Sequence, residues 1–509
     1  MATEAWGLTI GGALLTGVWL GPWAIPAVFG TVLALHLIRG SVGYRSLVVV
    51  TIAVTAGVLR GGGAPDVEAP PDLHLVARAS GEIVGIPKAS PGGIRADFRV
   101  QTMTYEDGRE EPAAFMALLW LPDATEAAAG DRVTAVWTVT TIDRLSPGFA
   151  RYVASRGAIA SAYAWDVTIE DRGVSLLGAM GDLQERLTSE LRAVVPGEAG
   201  SLAAGIVTGN DASMGDAARE AFLRTGTTHI TAVSGSNVAM LLALWQMVLR
   251  SSRTRRALLA QLVIVTSIWL YAVLVGLEPS AVRAAIVATL GVFSGRFGRK
   301  ADPITILMLT IGGMAVWNPG YTRMVGFWLS VLASFAFVVR LPKSGTATVR
   351  SATISAAQGV LLAQVVTLPL VLVTFGTWSV SSIVANLIIQ PVISVAFPLT
   401  FMLALIVLAA PALAPVVAWI PGLLLELVIL VVQWLAPLVA PIVVERESAI
   451  ALIGVGVPCG LIVIAASHDV ERWRRIVAQR WPLSPGMFAA MVLIPMVGIV
   501  LGVIATMMI

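Results

Sequence analysis

The chain has 509 residues, 57% of them hydrophobic and 13% charged, with a formal net charge of +3 and a mean hydropathy of +0.83. Soluble globular domains carry about 25% charged residues, so the composition excludes an all-soluble chain and predicts a multi-pass membrane protein. A charge this small identifies no partner, and one cysteine, Cys459, excludes an intrachain disulfide.

Three short apolar segments come first, at 6–20, 22–38 and 44–59, each near the lower limit of about 17 residues for a span. The start carries Glu4 and no basic residue, so it reads as a first span and not a cleaved signal peptide. Residues 1–60 are therefore predicted to be an N-terminal membrane region. A Gly/Pro linker, "RGGGAPDVEAPPDLH", follows. Residues 66–175 then change texture: short alternating runs such as "ADFRVQTMTY" and "DRVTAVWTVTTI" are punctuated by Gly and Pro. That pattern predicts a small barrel of five or six strands. Residues 176–226 read as amphipathic soluble helices, with Leu183, Leu187, Leu191 and Val194 at helical spacing.

From 227 onward ten apolar segments are predicted: 227–249, 257–277, 280–295, 303–318, 323–340, 352–375, 381–409, 416–437, 449–466 and 485–508. The basic residues test this count. They cluster at Arg39/Arg45, Arg250/Arg253/Arg255/Arg256, Arg296/Arg299/Lys300, Arg340/Lys343/Arg350 and Arg472/Arg474/Arg475/Arg480. With an inside N-terminus and thirteen crossings, every cluster falls on the cytoplasmic side. The same count places the β domain outside the cytoplasmic membrane.

The three lysines, Lys88, Lys300 and Lys343, follow no G-x-x-x-x-G pattern, so the chain is not its own P-loop motor. His36, His74, His229 and His468 stand too far apart for a local zinc site. No G-x-S-x-G elbow is present. The expectation is no cofactor, no metal and no catalytic residue.

Polar groups in lipid are expensive and usually face a partner, a cavity or water. In "THITAVSGSNVAMLLALWQ", Ser234 and Gly235 interrupt an apolar run, and Ser234 suits an N-cap. A helix restarting there points free N–H groups outward, where Ser236, Asn237 and His229 join them as an anion site. The other reading is tight helix packing with Asn237 as a bridge. In "GLEPSAVRAAIVA", Glu278 and Pro279 end one helix, Ser280 caps the next, and Arg283 lies one turn in, to pair with Glu278 or to meet an anion. In "WSVSSIVANLIIQPVISVAF", Asn386 and Gln390 precede Pro391, which breaks the segment inside lipid or merely kinks it. Arg323 reads as an interfacial snorkeller.

These places, in order, resemble the ComEC competence family of DNA-uptake channels. "AAGIVTGNDASM…AREAFLRTGTTHITAVSGSNVAML" resembles the family's core block, "VGLEPSAVRAAI" its G-x-x-P-S-x-x-R-A block, and "GFWLSVLASFAF" its G-F-x-L-S-F block. "TLPLVLVTFGTWSVSSIVANLIIQPV" resembles its last such block. The upstream β domain resembles the family's OB-fold. Two departures stand out: Asn237 replaces a histidine of many members, and no metallo-β-lactamase-like domain is recognisable within these residues. The nuclease activity associated with that domain is accordingly not expected.

The resemblance implies a polytopic α-helical membrane protein with an inserted extracytoplasmic OB-like domain and a channel domain over 227–509. Its implied work is passage of single-stranded DNA during transformation. His229, Ser234, Gly235, Ser236, Asn237, Glu278, Ser280, Arg283, Asn386, Gln390 and Pro391 would line the path. In the β domain, Arg78, Arg95, Phe98, Arg99, Tyr105, Arg151 and Arg156 are candidate nucleic-acid contacts. That domain holds sixteen acidic against ten basic side chains, which opposes the backbone attraction of DNA binding. Implied partners are single-stranded DNA, membrane lipid, a separate cytoplasmic motor and an outer DNA receptor, with a homo-oligomer left open. Rival readings are a transporter of a small anion or solute, a membrane-embedded enzyme acting on a lipid-linked substrate, and a scaffold.

Overall fold

The computed structural model describes residues 70–438, apart from interruptions of which 250–257, 295–302 and 340–348 are the longest, together with 442–443. The three N-terminal segments, the last two apolar segments, Arg323 and all the basic clusters except Arg350 lie outside the described residues. The chain divides into two compact units, Met1–Ser330 with Ala385–Leu438 and Val331–Val384 with Val439–Ile509.

The described part of the first unit carries six strands early in the chain: β1 (Val76–Ile83), β2 (Lys88–Ser90), β3 (Gly93–Tyr105), β4 (Glu110–Leu121), β5 (Arg132–Thr141) and β6 (Ala158–Asp171). Their order is β1-β5-β6-β4-β3-β2, and β1 also pairs with β3, so five strands close into a barrel with β2 appended. The β4–β6 pair is parallel. Alternate side chains point inward, as a period of two requires. Ile83, Phe98, Val100, Leu119, Leu121 and Val133 form the centre of the core. Trp137 stands edge-on to Phe98 at 6.1 Å and donates its indole N–H to the Val76 carbonyl at 3.1 Å, so its polar edge is satisfied. At Gly81 the register shifts, and a β-carbon there would lie 2.1 Å from the Arg99 carbonyl oxygen. Only glycine admits that approach. Helix α1 (Pro147–Ser155) covers the outer side through Leu118, Val153 and Ala158.

Helices follow: α2 (Leu176–Val194), α3 (Gly197–Thr208), α4 (Asp216–Arg224), α5 (Gly235–Val248), α6 (Leu258–Leu274), α7 (Pro279–Ser294), α8 (Pro303–Trp317), α9 (Val325–Val339), α10 (Val349–Phe375), α11 (Ser381–Ala409) and α12 (Ala414–Leu435). The Ser175 hydroxyl caps α2 by accepting from the Gly178 N–H at 2.9 Å. The leucine stripe of α2 buries Leu187 and Leu191 in the helical core instead of resting on an outer surface. Between the two expected amphipathic helices runs α3, whose small residues from Ala199 to Thr208 are all buried. Close packing of small side chains explains why its weak sequence pattern still makes a central helix.

Helices α5 to α12 fall on eight of the ten expected apolar segments. Among the described residues two helices, Ser381–Ala409 and Pro411–Leu435, are long and apolar enough to cross a membrane. Among the shorter apolar helices is Gly235–Val248, which at about 1.5 Å per residue falls short of a bilayer core about 30 Å thick. Pro391 does not break its segment: α11 continues as one helix through both Pro391 and Pro398. Loss of one N–H is tolerated there, as it commonly is in apolar helices. In the second unit a two-residue ribbon pairs Thr377–Trp378 with Ile442–Val443, and Gln364 hydrogen-bonds Ser382.

Candidate functional site

The site is built where α7 crosses the start of α5. After a single 3-10 turn at Thr228–Ile230 the chain extends, and Ser234 takes the N-cap position with extended backbone. Its hydroxyl does not bond a backbone N–H. It meets the Ser236 hydroxyl at 2.5 Å and donates to Asn237 Oδ1 at 3.3 Å. The first amides of α5 thus lack a side-chain cap. Ser280, at the start of α7, donates to the Val233 carbonyl at 3.0 Å and ties the two elements together.

One turn further along α7, Arg283 is 9% exposed. Among the described residues its one hydrogen bond runs from Nε to Ser330 Oγ of α9, at 2.9 Å. A β-carbon built on Gly235 would lie 2.6 Å from Arg283 Nη2 and 3.4 Å from both the Ala284 β-carbon and the Ser280 carbonyl oxygen. A guanidinium therefore sits against the positive end of a helix. Its expected partner, Glu278, is turned away and pairs with Lys88 of β2. Glu278 and Arg283 are five residues apart and so lie on different sides of the helix start; Leu277 just before them adopts φ 54°, the one positive φ other than at glycine among the described residues. A buried cation beside a helix N-terminus, with no ion pair among the described residues, is an arrangement that an anion stabilises.

The other path candidates separate into groups. Asn237 is 5% exposed, and its amide donates to the Ile206 carbonyl at 3.0 Å and to the Tyr271 hydroxyl at 3.2 Å. It holds α3, α5 and α6 together. His229 is exposed and hydrogen-bonds the Asn386 side chain and the Gly226 backbone, so two residues far apart in sequence meet. Gln390 is half-buried on α11, and its carbonyl accepts from Ser394 at 2.7 Å. Pro391 is exposed on the same helix.

A model of the competence protein family matches residues 206–468, just over half of the chain. The chain belongs to the competence protein family. A curated relative, ComE operon protein 3 of Bacillus subtilis (strain 168), is 25% identical over 210 residues, which make up 41% of this chain and 26% of that protein. The matched stretch thus spans about a quarter of the relative. No solved structure matches. The family is one of membrane proteins, its role lies in DNA uptake for transformation, and the two crossing-length helices accord with this.

In this competence protein the barrel's nucleic-acid candidates are scattered. Phe98 is fully buried and Tyr105 is buried with its hydroxyl donating to Glu111 at 3.2 Å, so neither ring faces solvent. Both are core residues because their strand positions point inward. Arg156 is clamped by Asp97 through two hydrogen bonds. Burial alone would lower its guanidinium, but the Asp97 carboxylate raises it above its ordinary value. Arg99 pairs with Glu82 at 3.2 Å, Arg78 is exposed, and Arg95 stacks 5.1 Å from the Tyr152 ring. Arg151 lies on α1. Sequence reasoning missed Lys88, Ser330 and Tyr271 as partners of the candidate residues. Hydroxyls and a lone lysine carry no local motif, and only folding brings them to the site.

Burial pushes the Glu278 carboxyl up, and the Lys88 ammonium beside it, together with Arg156 and Arg95, more than offsets this and holds it below its ordinary value. Truncating Phe98 to Ala should destabilise the barrel by about 3–5 kcal/mol. Thermal unfolding of the purified protein should show the barrel transition lowered. An unchanged transition with weakened DNA binding would return Phe98 to a surface role.

Proposed function

We propose that this competence protein conducts single-stranded DNA across the cytoplasmic membrane during transformation, without an energy source of its own. Arg283 carries the reading: a nearly buried guanidinium, set against the start of α5, with its carboxylate neighbour engaged elsewhere. A passing phosphodiester would be met by Arg283 and the first amides of α5. One cation with neutral hydroxyls around it binds weakly enough to release, as conduction requires. A separate cytoplasmic motor would pull the strand, and an outer receptor would deliver it.

The thirteen-span topology, with the barrel taken as an OB-like domain outside, completes the proposal. In a background with Cys459→Ser, cysteines placed at Gly148 and at Arg255 should be labelled from opposite sides. Gly148 is suited because it is exposed and a β-carbon there meets nothing within 4 Å. Labelling of both from one side would reject the topology. The function is tested by a deletion strain: labelled DNA should still bind the cell surface, while protected internal DNA and transformants are lost. Normal transformation in that strain would reject the proposal.

A further inference from the structure

The outer face of the barrel carries an aromatic shelf that the proposed DNA path does not use. Trp120 of β4 pairs in register with Tyr163 of β6, and Tyr163 pairs with Thr138 of β5, so the three lie in line across adjacent strands. Trp165 follows Tyr163 on the same face, with ring centroids 4.9 Å apart and planes at 67°. Trp165 is 67% exposed and Tyr163 40% exposed. With Thr140, Leu145 and Ser161 they line an open cavity of about 400 Å³.

The indoles are fixed in place. Trp165 donates its N–H to Thr138 Oγ1 at 2.9 Å, and Trp120 donates to Ser161 Oγ at 3.2 Å. The polar edges are thus satisfied within the protein, and the flat faces are what remains to meet a ligand. The accepting hydroxyls keep their own protons and stay competent to donate. Large rings left in solvent on a barrel with a complete core are not needed for folding.

Charge selects the ligand class. No cationic side chain lines the cavity. Strand β6, which carries the two exposed rings, holds Asp166, Glu170 and Asp171 and no base, and the arginine in register with Trp120, Arg95, is stacked on the Tyr152 ring. A polyanion would be repelled here, and so would an anionic bilayer surface, whose protein partners present Lys and Arg. A pyranose ring is neutral, offers a flat C–H face to an aromatic ring, and carries hydroxyls at its edges to exchange with Thr138, Thr140 and Ser161. Trp120 and Tyr163 stand on adjacent strands, about 4.8 Å apart, and Trp165 lies two residues along β6 from Tyr163, so the three rings offer neighbouring stacking surfaces to a chain of sugars. We propose that the shelf formed by Trp120, Tyr163 and Trp165 binds a neutral polysaccharide through stacked pyranose rings. This stands apart from the conduction reading and would hold the protein against a glycan layer.

The test is calorimetric titration of the full-length protein in nanodiscs with hexamers of N-acetylglucosamine and of glucose. Oligothymidine and anionic vesicles serve as the comparison probes. At least one sugar hexamer should bind saturably, and Trp165→Ala should weaken it at least about tenfold, the scale of an aromatic anchor at a binding surface. Trp165→Phe, which keeps a flat ring, should retain most of the affinity. Since Trp165 is mostly exposed, Trp165→Ala should leave thermal unfolding unchanged. No sugar binding up to about 10 mM, tenfold weaker than a millimolar site, would overturn the proposal. So would sugar binding indifferent to Trp165→Ala, or oligothymidine or vesicle binding that depends on Trp165 while the sugars do not bind.

Discussion

Replacing Gly235 by Leu should abolish transformation while leaving the protein in the membrane at normal abundance. The reason is local. A β-carbon at this position would lie 2.6 Å from Arg283 Nη2, and its other near neighbours are the Ala284 β-carbon and the backbone oxygen of Ser280. The guanidinium is the movable partner, so a branched side chain would displace Arg283 and fill the space in front of the first amides of α5. Overpacking of this kind costs about 1–3 kcal/mol, which a large helical core absorbs without unfolding. The measurement is transformation frequency beside membrane protein level, with Gly235→Ala as the graded intermediate. Wild-type transformation by Gly235→Leu at wild-type abundance would reduce the α5–α7 crossing to a packing contact, and the conduction path would then have to be sought elsewhere.

Removing the charge should be nearly as damaging. Arg283→Ala takes away the cation that faces the start of α5 and, with it, the hydrogen bond from Nε to Ser330 Oγ. A hydrogen bond to a charged group contributes about 1.5–3 kcal/mol, so a phosphate contact of that size corresponds to a fall of about ten- to a hundredfold in passage. Arg283→Lys keeps the charge but not the forked donor geometry, and should fall between wild type and Ala. Removing a buried cation that has no carboxylate also relieves a desolvation penalty. Arg283→Ala should therefore unfold at the same temperature as wild type or higher. That pairing of lost transport with retained stability separates a functional guanidinium from a structural one. A variant that loses both together would mark Arg283 as a packing residue.

Much of the fold was legible along the chain. Alternation over 66–175 predicted a barrel because a strand's two faces meet opposite environments, and the six strands lie within those bounds. Eight apolar segments became eight helices because lipid-grade hydrophobicity has no competing local signal. Ser234 and Gly235 marked where α5 begins, since glycine and a small hydroxyl residue are poor helix interior and good helix entry. The sequence also supplied Arg283 as a charge in an apolar run, and such a charge always requires an account.

What only the tertiary structure decided was partnership. Glu278 and Arg283 are close in sequence and opposite in charge, which suggests a pair. In the fold Glu278 meets Lys88 on a distant strand, and the guanidinium is left to Ser330 and Gly235. Asn237 reads equally as a path residue or a bridge until Ile206 and Tyr271 close around its amide. Phe98 and Trp165 are both aromatic residues in strands, yet one is core and the other faces solvent. Strand register and barrel closure settle that difference, and both depend on contacts between residues far apart in sequence, which composition and periodicity do not encode.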